Sequence, residues 1–170
     1  QLPPHCTLIR IGIEEAYNSV DIFESADVVY HLAAETGTGQ SMYEMTRYTN
    51  ANCAGTASML KAFSRCKNKP KRVVLASSRS VYGEGAYGHV DGSGSIVQVE
   101  ARAKESMESA DWEHKSKGGV ILKPVATPED FPFKPASFYA ATKASQELML
   151  MSCSHALGFK LTIFRFQNVY

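Results

Sequence analysis

Tyr139 and Lys143 stand four positions apart in a stretch with a helical pattern. Side chains at that spacing share one face of a helix. A protonated lysine there favours the phenolate and lowers the tyrosine pKa from about 10 towards neutral pH, which makes the phenol a usable general acid and base. Ser78, about 60 residues earlier at the end of a predicted strand, could hydrogen-bond the same reacting oxygen. Together the three groups suit hydride transfer from a carbinol carbon to a nicotinamide.

The same spacing also fits a surface helix on which a tyrosine packs against a lysine stem. The elements around the motif therefore carry the argument. Their alternation is typical of βαβ units and predicts an α/β fold with a doubly wound parallel sheet. Strands are predicted at residues 7–13, 27–34, 72–77 and 160–166, and helical segments at 14–25, 42–66 and 137–157.

The active sites of such sheets lie at the carboxyl ends of the strands. Residues 31–36, residues 77–80 and Asn168 all follow or end predicted strands. Tyr139 and Lys143 begin the helix after a long connection at about residues 84–135. We expect these four segments to meet in one cleft. The connection is predicted to be irregular, with a charged and partly helical piece near residues 100–113.

Composition excludes several classes of protein. The chain of 170 residues is 44% hydrophobic with a formal net charge of +1, which argues against nucleic-acid binding through a broad basic surface. The four cysteines lie far apart with no C-x-x-C pair, so we expect reduced thiols and no metal site. We find no signal peptide and no apolar run long enough to span a bilayer, which favours a cytoplasmic protein.

Five stretches resemble the extended short-chain dehydrogenase/reductase family, the NAD-dependent nucleotide-sugar epimerases and dehydratases. They occur in the order and roughly at the spacing of that family, and they cover most of the chain outside the long connection. The stretches are Asp27-Val-Val-Tyr-His-Leu-Ala-Ala34, Asn52-Cys-Ala-Gly-Thr56, Val74-Leu-Ala-Ser-Ser78 with Val81-Tyr-Gly83, Tyr139-x-x-x-Lys143, and Phe164-Arg-Phe-Gln-Asn-Val-Tyr170.

The resemblance implies a catalytic role for three residues. Tyr139 would exchange a proton with the sugar hydroxyl, and Lys143 would bind the nicotinamide ribose of NAD. Ser78 would hydrogen-bond the sugar oxygen that becomes a ketone. The family also implies a homodimer that pairs the helices near residues 42–66 and 137–157.

The resemblance also implies binding residues. Leu32, Ala33, Ala34 and Thr36 would line the cofactor cleft, and Asn52 would lie near the cofactor. Asn168 would contact the nucleotide sugar. For Thr36 and Asn52 a second interpretation stays open, because asparagine and threonine side chains often brace backbone.

Two features depart from the family pattern. The glycine-rich G-x-x-G-x-x-G fingerprint that holds the pyrophosphate is not in this sequence, and Gly12-Ile13 stand where the family has an acidic residue near the adenine. The Rossmann-like sheet is therefore expected to lack its first two strands and most of the substrate domain. We interpret residues 1–170 as part of an NAD-binding domain from a longer enzyme, inactive on its own, although a natural truncation is the alternative.

The resemblance favours an NAD-dependent nucleotide-sugar 4-epimerase that passes through a 4-keto sugar. Arg79 and Ser80 stand where the dehydratases carry two acids, which disfavours elimination of water. The stretch Glu35-Thr-Gly-Thr-Gly-Gln-Ser-Met-Tyr resembles a bacterial branch that includes dTDP-L-rhamnose 4-epimerases. Two alternatives stay open: a nucleotide-sugar reductase or decarboxylase of the same family, and a non-catalytic truncated dimerisation module.

Overall fold

The computed structural model describes residues 3–89 and 96–168, and it divides the chain into two compact units. Unit 1 comprises residues 1–78 and 137–170, and unit 2 comprises residues 79–136. Val169 and Tyr170, which end the last of the five motifs, lie outside the described residues, as do residues 90–95 of the long connection.

Both units contain strands and helices. In chain order the strands are β1 (Val28–His31), β2 (Arg72–Ser78), β3 (Ala86–His89), β4 (Val97–Gln98), β5 (Leu122–Pro124) and β6 (Lys160–Phe166). The α-helices are α1 (Val20–Glu24), α2 (Met45–Tyr48), α3 (Gly55–Arg65), α4 (Lys104–Glu108) and α5 (Phe138–Leu157). Short 3₁₀ turns span Ile13–Asn18, Gln40–Met42 and Arg79–Tyr82, and a π-helical turn spans Thr49–Ala54.

Unit 1 is built on a parallel sheet with the strand order β1-β2-β6. The central strand β2 pairs Leu75 with His31 on one side and with Ile163 on the other. Because all three strands run in the same direction, their carboxyl ends lie at one edge of the sheet. The prediction of an α/β fold with a parallel sheet is confirmed.

Helices α3 and α5 cover one face of this sheet. Alternate strand residues point to that face, where Val73 and Leu75 are completely buried. The other face is open, and Tyr30 on β1 is 68% exposed there. The core consists of Ala16, Met59, Leu60, Phe63, Val73, Leu75, Leu150 and Phe159. Burial of each large apolar side chain in such a core stabilises the fold by about 1.5–3 kcal/mol.

Local signals fix both ends of α5. The hydroxyl of Ser137 accepts a hydrogen bond from the backbone N–H of Ala140 at 3.1 Å, which satisfies one of the free donors of the first turn. Gly158 ends the helix in the left-handed conformation at φ 76°, a conformation that favours glycine. The predicted helix over residues 137–157 and the predicted strand over residues 160–166 are confirmed. None of the helices in the described part of the chain is long and apolar enough to cross a membrane.

One strand prediction for unit 1 is wrong. Residues 7–12 form no strand, and Ile13 begins a 3₁₀ turn. A strand needs a neighbour for its backbone hydrogen bonds, and the neighbour expected from the doubly wound order is not in this sequence. The helix predicted over residues 42–66 is confirmed from Met45 to Arg65, where α2, the π turn at Thr49–Ala54 and α3 follow one another without a break.

Unit 2 contains an antiparallel sheet with the strand order β4-β3-β5, so the prediction of an irregular connection is wrong. Its small core contains Tyr87, Val99 and Leu122. Arg102 forms an ion pair with Glu84 at 2.7 Å. These strands were not predicted because they are only two to four residues long, which is too short for an alternating pattern to be recognised.

Candidate active site

Lys143 connects α5 to the end of β2. Its side chain is buried, and Nζ donates hydrogen bonds to the carbonyl of Ala76 at 2.7 Å and to Oε1 of Gln146 at 2.8 Å. Ala76 lies two residues before Ser78, the last residue of β2. The lysine of the motif therefore reaches the strand that carries the predicted catalytic serine.

Tyr139 lies in the first turn of α5 and is half-buried. Its backbone N–H donates to the hydroxyl of Ser41 at 3.0 Å, and its carbonyl accepts from Thr142 at 2.8 Å. The ring makes an edge contact with Tyr48, with 6.4 Å between the ring centroids. These contacts fix the backbone and the ring of Tyr139.

The two serines at the end of β2 have different environments. Ser77 is buried and donates a hydrogen bond to the carboxylate of Glu147 on α5. Ser78 is half-buried, and strand alternation directs it to the opposite face from Ser77. Ser77 is thus bound to a structural partner on α5. The role of Ser78 towards a substrate stays a prediction.

Asn52 braces the loop after β1. The side chain is fully buried in the π turn, its Oδ1 accepts from the N–H of Glu35 at 2.8 Å, and its Nδ2 donates to the Glu35 carbonyl at 3.1 Å. Nδ2 also donates to Thr142 on α5 at 2.9 Å. Asn52 is a backbone brace, and its proximity to a cofactor stays a prediction.

The loop after β1 presents its side chains to solvent. Leu32 is 65% exposed, Ala33 is exposed and Ala34 is half-buried. Thr36 is exposed, and its carbonyl accepts a hydrogen bond from the hydroxyl of Tyr48 at 2.6 Å. The four predicted cofactor residues therefore follow β1 at the carboxyl edge of the sheet, and the contact from Tyr48 holds the backbone at Thr36. Their binding of a cofactor stays a prediction.

Asn168 is exposed and lies two residues beyond the end of β6. The register of the sheet pairs Ser78 with Phe166, so the chain leaves β6 beside the end of β2. Asn168 and Ser78 consequently belong to the same edge of the sheet. The sequence prediction that the strand ends share one edge agrees with this arrangement.

A buried polar network supports Lys143, and sequence reasoning did not identify it. Gln146 donates from Nε2 to the hydroxyl of Thr56 at 2.9 Å, and Nε2 of His31 lies 2.8 Å from the same hydroxyl. The hydroxyl of Thr56 itself donates to the carbonyl of Asn52 at 2.6 Å. All of these residues are buried. A glutamine three residues after Lys143, on the face that packs on the sheet, was the available signal.

A buried ion pair lies beside this network. Glu147 is completely buried, and the guanidinium of Arg165 on β6 donates to it at 2.8 Å. Glu147 also accepts from Ser77. The signal in the sequence was a charged residue within each of two apolar elements, Glu147 in α5 and Arg165 in β6. Buried charges are usually paired, so these two could have been predicted as partners.

Burial controls the protonation of the two basic groups. It lowers the pKa of Lys143 to about 8, although the charge of Glu147 opposes the shift. Burial also lowers the pKa of His31 to about 4, and the positive charge of Lys143 contributes to that shift. His31 is therefore neutral at pH 7. Lys143 is charged at pH 7 and loses its proton about one pH unit above that.

Solved structures with the same fold include nucleotide-sugar epimerases. A UDP-glucose 4-epimerase from Thermotoga maritima in complex with UDP-glucose superimposes with a TM-score of 0.70 at 23% identity, over 99% of this chain and 43% of that chain. A UDP-N-acetylglucosamine 4-epimerase from Methanobrevibacter ruminantium gives a TM-score of 0.67 at 26% identity, over 96% of this chain and 40% of that chain. The fold is thus a partial Rossmann-like α/β fold.

The model of the NAD dependent epimerase/dehydratase family matches residues 1–104. The chain belongs to this family. It is also 39% identical to a dTDP-L-rhamnose 4-epimerase from Burkholderia thailandensis, over 85% of this chain and 38% of that enzyme. The chain therefore spans well under half the length of the relatives it matches.

Proposed function

We propose that this chain provides the catalytic residues of an NAD-dependent nucleotide-sugar 4-epimerase. The observation that carries the proposal is the hydrogen bond from Lys143 Nζ to the carbonyl of Ala76. It joins the Tyr-x-x-x-Lys helix to the strand that ends in Ser78, in a member of a family of NAD-dependent enzymes.

The residues present fit the nicotinamide end of NAD. Lys143 can donate three hydrogen bonds, and two go to Ala76 and Gln146 within the described residues, so a third suits a ribose hydroxyl. Leu32 and Ala33 offer exposed apolar surface at the end of β1. When bound, NAD would accept a hydride from the sugar carbon and return it to the other face.

Tyr139 would act as the general base and then as the general acid. It would remove the proton of the sugar 4-hydroxyl as the carbon is oxidised. It would return the proton after the 4-keto sugar has rotated in the site to present its other face. The Lys143 ammonium, one helical turn away, would favour the phenolate during the first step.

Ser78 would donate a hydrogen bond to the sugar oxygen while its charge changes. Such a preorganised donor stabilises the transition state more than the ground state. Asn168 would contact the nucleotide sugar from beyond β6. We propose a dTDP-linked 6-deoxyhexose as the first substrate to test, on the basis of the relative at 39% identity.

A homodimer through α2, α3 and α5 is part of this proposal. Leu148 and Met151 on α5 are 55% and 52% exposed, and their spacing puts them on one face of the helix. Replacing Met151 with lysine should convert a dimer into monomers in sedimentation velocity. We also propose a cytoplasmic location, where nucleotide sugars would be available.

The decisive experiment is the Tyr139→Phe variant of the full-length protein, assayed for interconversion of the 4-epimers. We expect turnover to fall by a factor on the order of 10³ with bound NAD unchanged, because only the proton-transfer group is lost. Tyr43→Phe is the matched control, since Tyr43 is 90% exposed.

Turnover close to that of the unchanged protein in Tyr139→Phe would defeat the proposal. Net consumption of NADH or NADPH with each turnover would favour a reductase instead, and net release of NADH would favour an oxidative decarboxylase. A protein that dimerises without binding NAD would favour the non-catalytic module.

A further inference from the structure

Gln146 lies between the proposed catalytic lysine and the helix α3, and it has no exposed surface. Its Oε1 accepts from Lys143 Nζ at 2.8 Å, while its Nε2 donates to Thr56 at 2.9 Å. This orientation of the amide is forced, because an ammonium has donors only and cannot face the amide nitrogen.

The distances also assign the hydrogens around Thr56. The 2.6 Å separation from the carbonyl of Asn52 requires the Thr56 hydroxyl hydrogen, so the oxygen must accept from its other neighbours. His31 Nε2, at 2.8 Å, is therefore protonated and donates to Thr56. The 3.1 Å separation between Gln146 Nε2 and His31 Nε2 is then a contact between two donors of one acceptor. His31 is the neutral tautomer with its hydrogen on Nε2.

We infer that Gln146 is a positioning residue, which holds the Lys143 ammonium with an uncharged acceptor and is itself held by the hydroxyl of Thr56. This inference rests on the proposed function for the catalytic use of Lys143. Gln146 acts through the ammonium of Lys143, which it contacts directly.

None of the charged or titratable groups described around Lys143 accepts a hydrogen bond from its ammonium, whereas Gln146 does. On α5, Glu147 is paired with Arg165 of β6 and bonded to Ser77 of β2, and Tyr139 lies one turn away. On β1, His31 is neutral at pH 7. Helix α3 contributes the uncharged Thr56. The acceptors bonded to the ammonium within the described residues are the Ala76 carbonyl and the Gln146 amide.

Two substitutions of Gln146 should shift the pKa of Lys143 in opposite directions. Gln146→Met has nearly the same shape but removes an acceptor, so the charged form of Lys143 should become less stable. Gln146→Glu keeps an acceptor beside Lys143 and offers another to the N–H of His31, and its negative charge should make the charged form more stable. A loosely packed site without a specific role for Gln146 would not produce opposite effects.

The test is an NMR titration of protein labelled with carbon-13 at lysine Cε, without substrate or NAD. The Lys143 signal is assigned by its loss in Lys143→Met. From a starting pKa of about 8, we expect Gln146→Met to lower the Lys143 pKa by about one pH unit and Gln146→Glu to raise it by at least as much. Ser152→Ala is the control on the same helix, since the Ser152 hydroxyl bonds only within α5 among the described contacts.

A Lys143 pKa that is the same in all three proteins overturns the inference. If Gln146→Met does not fold, the upward shift in Gln146→Glu decides alone. The full-length protein then links the result to turnover, because the alkaline limb of its pH–rate profile should move down in Gln146→Met and up in Gln146→Glu. Shifted Lys143 pKa values in a protein that has no epimerase activity would refute the proposed function and leave the inference standing.

Discussion

The two halves of the interface between the helices and the parallel sheet have opposite character. Towards the amino ends of the strands the interface is hydrocarbon, with Phe63, Leu150 and Phe159 packed on Val73. Towards the carboxyl ends it is polar, and it buries the side chains of His31, Thr56, Lys143, Gln146 and Glu147. The same helices thus supply stability at one end and candidate chemistry at the other. Stability at the apolar end has to offset the desolvation of charges at the polar end.

The largest effect should come from the apolar half. Phe63→Ala removes a fully buried ring, and we expect the free energy of unfolding to fall by about 4 kcal/mol. Phe164→Ala is the matched control, since Phe164 is 49% exposed on the open face of the sheet, and it should lose about 1 kcal/mol. Urea unfolding measures both. Equal losses in the two variants would show that the covered face is not the main source of stability.

In the polar half, Arg165→Met should destabilise the protein by about 3 kcal/mol, because it leaves the buried Glu147 carboxylate without its partner. Adding Glu147→Gln should recover most of that loss, since the amide can still accept from Ser77 while carrying no charge. The measurement is a double-mutant cycle at pH 7. If the second substitution makes the protein still less stable, the ion pair is not the origin of the effect.

The polar half should also respond to pH. His31 has a pKa of about 4 in the folded protein and an ordinary value near 6.5 in the unfolded chain. Between these values the unfolded chain binds more protons, so stability is lost as the pH falls. From pH 7 to pH 5 we expect a loss of about 2 kcal/mol that His31→Gln abolishes. His155→Gln, with its side chain exposed near the end of α5, should retain the pH dependence of the unchanged protein.

The smallest effects should come from the two ends of α5. Ser137→Ala and Gly158→Ala should each lower stability by about 1 kcal/mol, the first by loss of the cap and the second by strain at positive φ. Only Ser137→Ala should also reduce turnover, because Ser137 precedes Tyr139 at the polar end. Thermal unfolding and the epimerase assay of the two variants test this difference. A comparable loss of turnover in Gly158→Ala would contradict the division of the interface into two halves.

The elements with strong local signals were predictable from the sequence. Apolar runs identified β1, β2 and β6, and Ser137 with Gly158 bounded α5. Residues 7–12 were not predictable in this way, because an extended pattern forms a strand only where a partner exists. The strands of unit 2 were missed since they are too short for periodicity.

The site was predictable to a different degree. The spacing of Tyr139 and Lys143 located the helix face, and the strand order located the edge of the sheet. The contacts of Lys143 with Ala76, Gln146 and the network behind it depend on tertiary packing. Gln146 lies one helical turn from Lys143, but Ala76 and Thr56 are far away in sequence, and no local pattern encodes contacts with them.

The π turn at Thr49–Ala54 accommodates one residue more than regular α-helical winding would. Deleting a single residue here would restore regular winding, and the helices on either side would keep their facing because the turn had absorbed the extra residue. The hydroxyl of Tyr48 would stay beside the carbonyl of Thr36. The side chain of Asn52, inside the turn, would instead be displaced from the backbone of Glu35. The wide turn thus gives this helix a place for an inward-facing amide that regular winding would put elsewhere.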